Sequence, residues 1–295
     1  MPLKVFDSHF HLLNHDINTS QINQYYLNDF INDYNYLDSN ISLEGGICVE
    51  ALSASYPKII NKEYNDYCDK EISWFTKQLE NKKNYYFISP IALESNYLEN
   101  NINKLENIYN CVGVRQILNY NPSWPRNKYL GDLVVNKKWV NGLNVLSESN
   151  LHFDLQINPH QFENTYKLIK NIKNINFTID HMGLPLYKDF NNTEYWDGLK
   201  LFSNLDNVFV KFSRLSYFHN DWDKYEPIKS HILKVKNIFG FEKILFGSNL
   251  PIENNFNFDI KRIVDAFIKL FEKKSHLIDL ENFFYNNSLH AYRVI

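Results

Sequence analysis

The chain has 295 residues, of which 44% are hydrophobic and 22% are charged, and its formal net charge is -3. A composition of this kind supports a folded core, which excludes intrinsic disorder and fibrous architecture. The nearly balanced charge gives no electrostatic attraction for nucleic acid or an anionic membrane, so we expect neither as a partner and expect a small-molecule substrate instead.

Short apolar runs alternate with longer amphipathic segments along the whole chain, which is typical of a parallel sheet covered by helices. The runs predict eight strands: Leu3–Phe10, Gly45–Leu52, Tyr85–Leu93, Cys111–Leu118, Leu151–Gln156, Asn176–Asp180, Val208–Phe212 and Lys243–Phe246. Segments with apolar residues every three or four positions predict helices: Glu63–Leu79, Tyr97–Ile108, Asn136–Ser149, His160–Asn171, Glu194–Leu205, Lys224–Phe239 and Phe258–Glu272. Eight strands with such helices over this length predict one (β/α)8 TIM barrel domain, residues 1–295.

Two connections in this pattern are unusually long, residues 12–42 and the proline-rich segment Asn119–Val135. In a barrel both would be loops at the carboxyl ends of strands, where active sites are built, so we predict that they form lids or pocket walls. No G-x-G-x-x-G follows the first strand, so we expect no nucleotide cofactor.

The three cysteines are widely spaced and form no C-x-x-C pair, which predicts reduced, buried thiols. The first residues lead directly into a strand-like run without the features of a secretory signal, and no stretch approaches the ~18 apolar residues of a membrane span. We therefore expect a cytoplasmic protein. The sequence leaves its oligomeric state open, including a homo-oligomer.

Polar residues end three of the predicted strands. Asp7-Ser-His9-Phe-His11 ends the first, and alternation along a strand predicts that Asp7, His9 and His11 share one face. His181 ends the sixth strand and Asn249 the eighth, each shortly before a proline. Because the carboxyl ends of barrel strands meet at one rim, we expect these side chains to converge there.

A family resemblance follows from the order of five motifs: D-x-H-x-H, then Gly113-Val-Arg115, then Asp180-His-Met-Gly-Leu-Pro185, then Phe246-Gly-Ser-Asn-Leu-Pro251, and finally the closing segment Phe284–Tyr292. In this order the chain resembles the amidohydrolase-related, metal-dependent hydrolases. Within them it is similar to the branch that contains sugar-acid lactonases and the pyrone-dicarboxylate lactonase. The resemblance implies a barrel fold and hydrolysis, and it is less specific for the substrate.

The resemblance implies that His9 and His11 are first-strand site ligands, that His181 is the sixth-strand site histidine, and that Arg115 contacts the substrate. Most of the superfamily has an aspartate at the eighth-strand position as general base, whereas this chain has Asn249. An amide accepts no proton near neutral pH and adds no negative charge for a metal. Another group would have to act as the base, and the candidates are Glu253, Glu50 and His181.

The metal requirement stays open at this point. Three histidines without a carboxylate can hold zinc with a water in the fourth position, which makes His9, His11 and His181 a candidate zinc set. The resembled branch also includes members that hydrolyse lactones without metal.

Arginine is scarce in this chain, with only five residues, so an arginine at a strand end is a candidate for planar, bidentate binding of a carboxylate. We predict that Arg115 and Arg214 clamp the substrate, with Arg126 reaching in from the proline-rich segment and Gln156 from the fifth strand. The predicted function is opening of a lactone or other cyclic ester of a small carboxylated or sugar-acid substrate. The alternatives are a binding barrel that has lost catalysis and a zinc-dependent decarboxylase, against which Asn249 argues.

Overall fold

The computed structural model describes residues 2–14, 16–17, 24–52, 62–272 and 276–294. Within these ranges eight strands form one parallel sheet in the order of the sequence, curled into a nearly closed (β/α)8 barrel. This arrangement confirms the predicted fold class. The strands are β1 Leu3–Phe10, β2 Ile41–Val49, β3 Tyr85–Pro90, β4 Cys111–Ile117, β5 His152–Gln156, β6 Phe177–Ile179, β7 Val208–Phe212 and β8 Ile244–Phe246.

Helices cover the outside of the sheet, and each of the seven predicted helical segments contains one. The helices are α1 Leu27–Tyr34, α2 Lys62–Gln78, α3 Leu98–Glu106, α4 Pro125–Leu130, α5 Lys137–Ser147, α6 Phe162–Ile169, α7 Thr193–Ser203, α8 Glu226–Phe239, α9 Ile260–Phe271, α10 Leu277–Glu281 and α11 Asn287–Tyr292. The three cysteines are buried and free, as predicted. Across the described ranges, no helix is both long enough and apolar enough to pass through a membrane.

The pattern of α9 shows how sequence directs these helices onto the sheet. Its buried residues recur with helical spacing at Ile260, Ile263, Val264, Phe267 and Phe271. The carboxylate of the residue before the helix accepts a hydrogen bond from the backbone N–H of Arg262, which satisfies one free donor of the first turn. The apolar stripe therefore faces the core, and the end of the helix is capped.

The prediction that residues 12–42 form one long loop was wrong in part. Leu27–Tyr34 is a helix whose buried residues are Leu27, Phe30 and Tyr34, and β2 begins at Ile41. Asparagine and aspartate occupy half of this helix, and their weak helix propensity hides the apolar spacing that packs it on β1. The proline-rich segment likewise contains α4.

The interior of the barrel has an apolar end and a polar end. At the amino ends of the strands it is filled by Phe6, Ile47, Val49, Tyr86, Ile88, Val112, Phe209 and Leu245, and Ala291 and Tyr292 of α11 pack against this layer. The hydroxyl of Tyr292 donates a hydrogen bond to the carboxylate of Asp154 at 2.7 Å. The last helix therefore covers the apolar layer and reaches the polar one above it.

Backbone hydrogen bonds between β1 and the segment after β8 close the barrel beside the site. The N–H of Asn249 donates to the carbonyl of His9 and the N–H of His11 donates to the carbonyl of Leu250, both at 2.7 Å. A Cβ on Gly247 would lie 2.7 Å from the Cβ of His9, so a glycine is needed where the two segments meet. Closure of the barrel thus fixes the backbone on which the site histidines stand.

Asp7 does not share a face with His9 and His11, and that prediction was wrong. An irregularity in the β1–β2 pairing lies between Asp7 and Phe10 and breaks the simple alternation. The Asp7 carboxylate instead accepts hydrogen bonds from the Tyr34 hydroxyl at 2.7 Å and from the backbone N–H of Ser248 at 3.0 Å. Burial raises the pKa of Asp7 to about 6. Through these hydrogen bonds Asp7 connects β1 with α1 and with the segment after β8.

Candidate active site

A buried network of charged side chains crosses the polar end of the barrel, and Arg115 of β4 is its first centre. The guanidinium donates from Nε to Glu50 Oε1 at 2.8 Å and from one terminal nitrogen to Asp180 at 3.0 Å and Gln156 at 3.1 Å. Its second terminal nitrogen donates to the backbone carbonyl of Glu50. Burial opposes the charge, but Glu50 and Asp180 outweigh it and raise the pKa of Arg115.

Lys211 of β7 is the second centre. Its ammonium is fully buried, forms an ion pair with Asp154, and lies 3.3 Å from Asp180 Oδ1 and 3.3 Å from His9 Nδ1. Burial raises the pKa of Asp154 to about 6 against the opposing effect of Lys211. For Asp180 burial acts in the same direction, but the attraction of Lys211 prevails and holds its pKa well below the usual range.

Three imidazoles stand together above this network. The ring centroid of His9 lies 5.0 Å from that of His11 and 4.7 Å from that of His181. His11 Nδ1 is 2.8 Å from the carbonyl of Val49, and His181 Nδ1 is 2.7 Å from the hydroxyl of Ser213. These contacts orient two of the rings by Nδ1 and leave their Nε2 atoms for other partners.

All three imidazoles are neutral near pH 7. Burial lowers the pKa of His11 to about 3, and the nearby Arg115 lowers it further in the same direction. Burial likewise holds the pKa values of His9 and His181 well below the usual value. Neutral imidazoles can donate a hydrogen bond, accept a proton or ligate a metal, depending on which nitrogen carries the proton.

The segment after β8 brings Asn249 and Glu253 together. Asn249 has a left-handed backbone (φ 57°), which asparagine tolerates better than most residues, and Glu253 lies in a short 3-10 helix, Ile252–Phe256. The Asn249 side-chain amide donates to Glu253 Oε1 at 3.2 Å, and the backbone N–H of Ser216 donates to Oε2 at 3.3 Å. Glu253 is 2% exposed, and this burial raises the pKa of its carboxylate.

Arg214 follows β7 and is attracted by the charge of Glu253, whereas Arg115 forms direct ion pairs with two carboxylates. The Arg214 guanidinium lies over the ring of Tyr217, 4.8 Å from the centroid, and it has no hydrogen bond or ion pair with any residue that the structure describes. Burial lowers its pKa. A partly buried guanidinium that forms no hydrogen bond with a described carboxylate is suited to bind an anionic group of a ligand.

The structure changes the roles of several residues predicted from the sequence. Arg115 makes four hydrogen bonds inside the protein, which disfavours it as a substrate clamp and leaves Arg214 as the candidate of the predicted pair. The side-chain oxygen of Gln156 accepts a hydrogen bond from Arg115. Glu50 forms an ion pair with the same arginine, which disfavours Glu50 as the base. The side chain of Arg126 lies outside the described part of the structure.

Sequence reasoning missed Lys211 and gave no role to its carboxylate partners Asp154 and Asp180. The signal was present: Lys211 is the single charged residue in Val-Phe-Val-Lys-Phe, an otherwise apolar strand. Alternation along this strand places Lys211 on the same side as Phe209, which fills the barrel interior. A charge in such a position must have a buried partner.

Comparison with known proteins agrees with this architecture. A family model described as amidohydrolase matches residues 109–293, more than half of the sequence. The chain belongs to the amidohydrolase family. Uncharacterized protein y4mH of Sinorhizobium fredii (strain NBRC 101917 / NGR234) is 25% identical over 187 residues, which is 63% of this chain and 62% of the relative's own length.

Solved amidohydrolase structures share the whole fold. An amidohydrolase of Burkholderia multivorans with bound zinc has a TM-score of 0.76 at 13% identity, with 99% of each chain covered. A Pseudomonas putida protein described as a 2-pyrone-4,6-dicarboxylic acid hydrolase has a TM-score of 0.73 at 15% identity, with 99% of this chain and 98% of that chain covered. Identities this low show that the fold is shared and leave the substrate open.

Amidohydrolases are typically metal-dependent, so we asked whether these residues fit a divalent cation. His9, Asp180 and His181 bring one donor atom each within 4.8 Å of one another. Both oxygens of Asp180 already face cations, Arg115 at 3.0 Å and Lys211 at 3.3 Å. The same ammonium is 3.3 Å from His9 Nδ1. A metal ion on this side would lie next to a buried positive charge, which is unfavourable at low dielectric.

The candidate zinc set His9, His11 and His181 has the right donor type, but Asn249 adds no anion where the family usually has an aspartate. Lys211 Nζ lies 3.3 Å from His9 Nδ1, and the charge of Arg115 acts on His11. We conclude that the residues, as arranged, do not fit a divalent metal ion.

The two arginines provide a direct test of the network. We expect Arg115→Lys to lower the free energy of unfolding by about 1–3 kcal/mol, because one ammonium cannot satisfy Glu50, Gln156 and Asp180 together. Arg214→Lys should change it by less than about 1 kcal/mol, because Arg214 has no direct hydrogen bond or ion pair with a described residue and lysine keeps the positive charge. Urea unfolding followed by circular dichroism measures both, and equal losses would contradict the different roles given to the two residues.

Proposed function

We propose that the protein hydrolyses a lactone or similar cyclic ester of a small acid that carries a carboxylate. The observation that carries the proposal is the Asn249–Glu253 pair, which supplies a buried carboxylate base after the strand where the family usually has an aspartate. We infer that Glu253 replaces the missing group. Buried carboxylates with a raised pKa are typical of functional sites, which favours an active enzyme over a barrel that has lost catalysis.

In the proposed reaction Glu253 takes a proton from water as the water oxygen attacks the ester carbonyl. Negative charge then develops on the carbonyl oxygen, where an imidazole N–H directed at the substrate stabilises it. When the ring C–O bond breaks, the proton on Glu253 passes to the leaving alkoxide and restores the carboxylate. Each proton taken from water is returned, so the cycle needs no further reactant.

Arg214 would hold the substrate by its carboxylate. Its guanidinium forms no ion pair with any described carboxylate, and the ring of Tyr217 lies against one side of it. Binding at a group remote from the ester would orient the carbonyl toward the imidazoles and Glu253. Lys211 and Arg115 are excluded from this role because their carboxylate partners already occupy them.

The substrate class is tested by a panel of sugar-acid and carboxylated lactones, with hydrolysis followed by the acid released. We expect carboxylated lactones to be preferred over neutral lactones of the same ring size. Arg214→Met should raise KM for the carboxylated members by about 10–100-fold, the loss of one charged hydrogen-bonded contact, and leave neutral members unchanged. Binding of these compounds without hydrolysis of any would instead indicate a catalytically inactive binding barrel.

Glu253→Gln tests the base. We expect kcat to fall by about 10²–10⁴-fold with little change in KM, as for loss of a general base. In the wild type, kcat/KM should rise with pH as Glu253 loses its proton, at a pH above the usual carboxyl value because its pKa is raised. This rise should be absent in the variant.

The matched control is Glu194→Gln, which changes an exposed glutamate on α7 and should leave the pH profile intact. An unchanged kcat in Glu253→Gln, or an unchanged pH profile, would remove Glu253 from the reaction.

Asn249→Asp restores the residue that the family usually has, and we expect it to lower activity at neutral pH by tenfold or more. The new carboxylate would lie about where the amide now donates to Glu253 at 3.2 Å. Two carboxylates that close share a proton, so the base would be protonated near neutral pH. The control is Asn254→Asp, which changes an exposed asparagine in the same short helix as Glu253. A gain in kcat from Asn249→Asp would show that Asn249 is a decayed base.

A further inference from the structure

The hydrogen bonding of His9 determines which of its nitrogens carries the proton. Lys211 Nζ is 3.3 Å from His9 Nδ1, in hydrogen-bonding geometry. An ammonium has three N–H donors and no acceptor, so in this bond Nδ1 must accept. Asp180 Oδ1 is equally distant from Nδ1 at 3.3 Å and its negative charge favours a proton there, but this contact lacks the geometry of a hydrogen bond.

A neutral imidazole has one N–H, so a ring that accepts at Nδ1 carries its proton on Nε2. The Nε2 atom of His9 is buried and has no hydrogen-bond partner within the described ranges. An N–H without a partner in a buried site is costly unless a ligand accepts from it. His9 Nε2 therefore has the properties of a donor reserved for the substrate.

We propose that Lys211 is a positioning residue that fixes the proton of His9 on Nε2, which makes His9 a hydrogen-bond donor to the substrate carbonyl and unsuited to ligate a metal. This inference deepens the proposed function and rests on it for the role of His9 in turnover. The position of the proton can be measured without any substrate.

His11, two residues after His9, shows the opposite arrangement. Its Nδ1 lies 2.8 Å from the carbonyl of Val49, and a carbonyl can only accept, so the His11 proton is on Nδ1 and Nε2 is an acceptor. Two adjacent imidazoles thus present opposite hydrogen-bonding character. The difference comes from what lies behind each ring, an ammonium for His9 and a carbonyl for His11.

The test is nitrogen NMR of the full chain labelled with ¹⁵N-histidine, in which N–H and unprotonated ring nitrogens have distinct shifts. His9→Gln identifies the His9 signals by their loss. In the wild type we expect the Nε2 of His9 to be the N–H nitrogen. In Lys211→Met the proton should move to Nδ1, because Asp180 is then the remaining partner on that side.

Lys243→Met is the matched control. Lys243 is a partly buried lysine that donates to the backbone carbonyls of Ser203 and Leu205, away from His9. Its replacement should leave the His9 pattern unchanged. A wild-type spectrum with the His9 proton on Nδ1, or a Lys211→Met spectrum identical to that of the wild type, would overturn the proposal.

Zinc binding gives a second readout that is independent of turnover. By equilibrium dialysis after chelator treatment, the wild type should bind zinc weakly and Lys211→Met at least about tenfold more tightly, since the variant loses a cation and frees Nε2. If Lys211→Met does not fold, the wild type alone decides, and stoichiometric tight zinc binding there contradicts the proposal. Correct tautomers without turnover of any lactone would refute the proposed function and leave this inference standing.

Discussion

The buried pairing of two cations with three carboxylates is the constraint on which the rest of this barrel depends. Arg115 and Lys211 face Glu50, Asp154 and Asp180 in a layer that solvent does not reach. Charges in such a place persist only when each has a partner and good hydrogen bonds, and removal of one member leaves another uncompensated. The strands that carry these residues are therefore tied across the barrel by charge as well as by the sheet.

The same layer sets the chemistry of the rim above it. Burial is the main cause that lowers the pKa values of the imidazoles, and the charges of Lys211 and Arg115 add to it, so the histidines are left as neutral hydrogen-bonding groups. In the proposed reaction, proton transfer falls to Glu253. The amide of Asn249 fits this division because it can donate to that carboxylate, whereas an aspartate in its place would repel it.

The fold was predictable because its signals are local. Apolar runs and helical spacing gave all eight strands and the seven helices that were predicted, and the motifs marked His9, His11 and His181 at one rim. Helix α1 was missed because its asparagine and aspartate residues favour a loop. The predicted face of Asp7 was wrong because a single sequence does not show the irregularity in the pairing of β1.

The connections within the site were not predictable in the same way. A sequence places Arg115 at a strand end but does not show that Glu50, Gln156 and Asp180 occupy its donors. Lys211 was overlooked because one lysine in a short strand is ordinary until its neighbours are known. Such roles depend on contacts between residues far apart in the chain, and only the assembled barrel shows them.

We propose that resident side-chain cations, and no divalent metal, govern this site. This claim is tested most directly by a crystal structure of the protein grown with excess zinc, with diffraction recorded at the zinc absorption edge. The account predicts no anomalous peak within bonding distance of His9 Nε2 and an intact Lys211 contact at His9 Nδ1. A fully occupied zinc peak bound by His9 and His181 would contradict it.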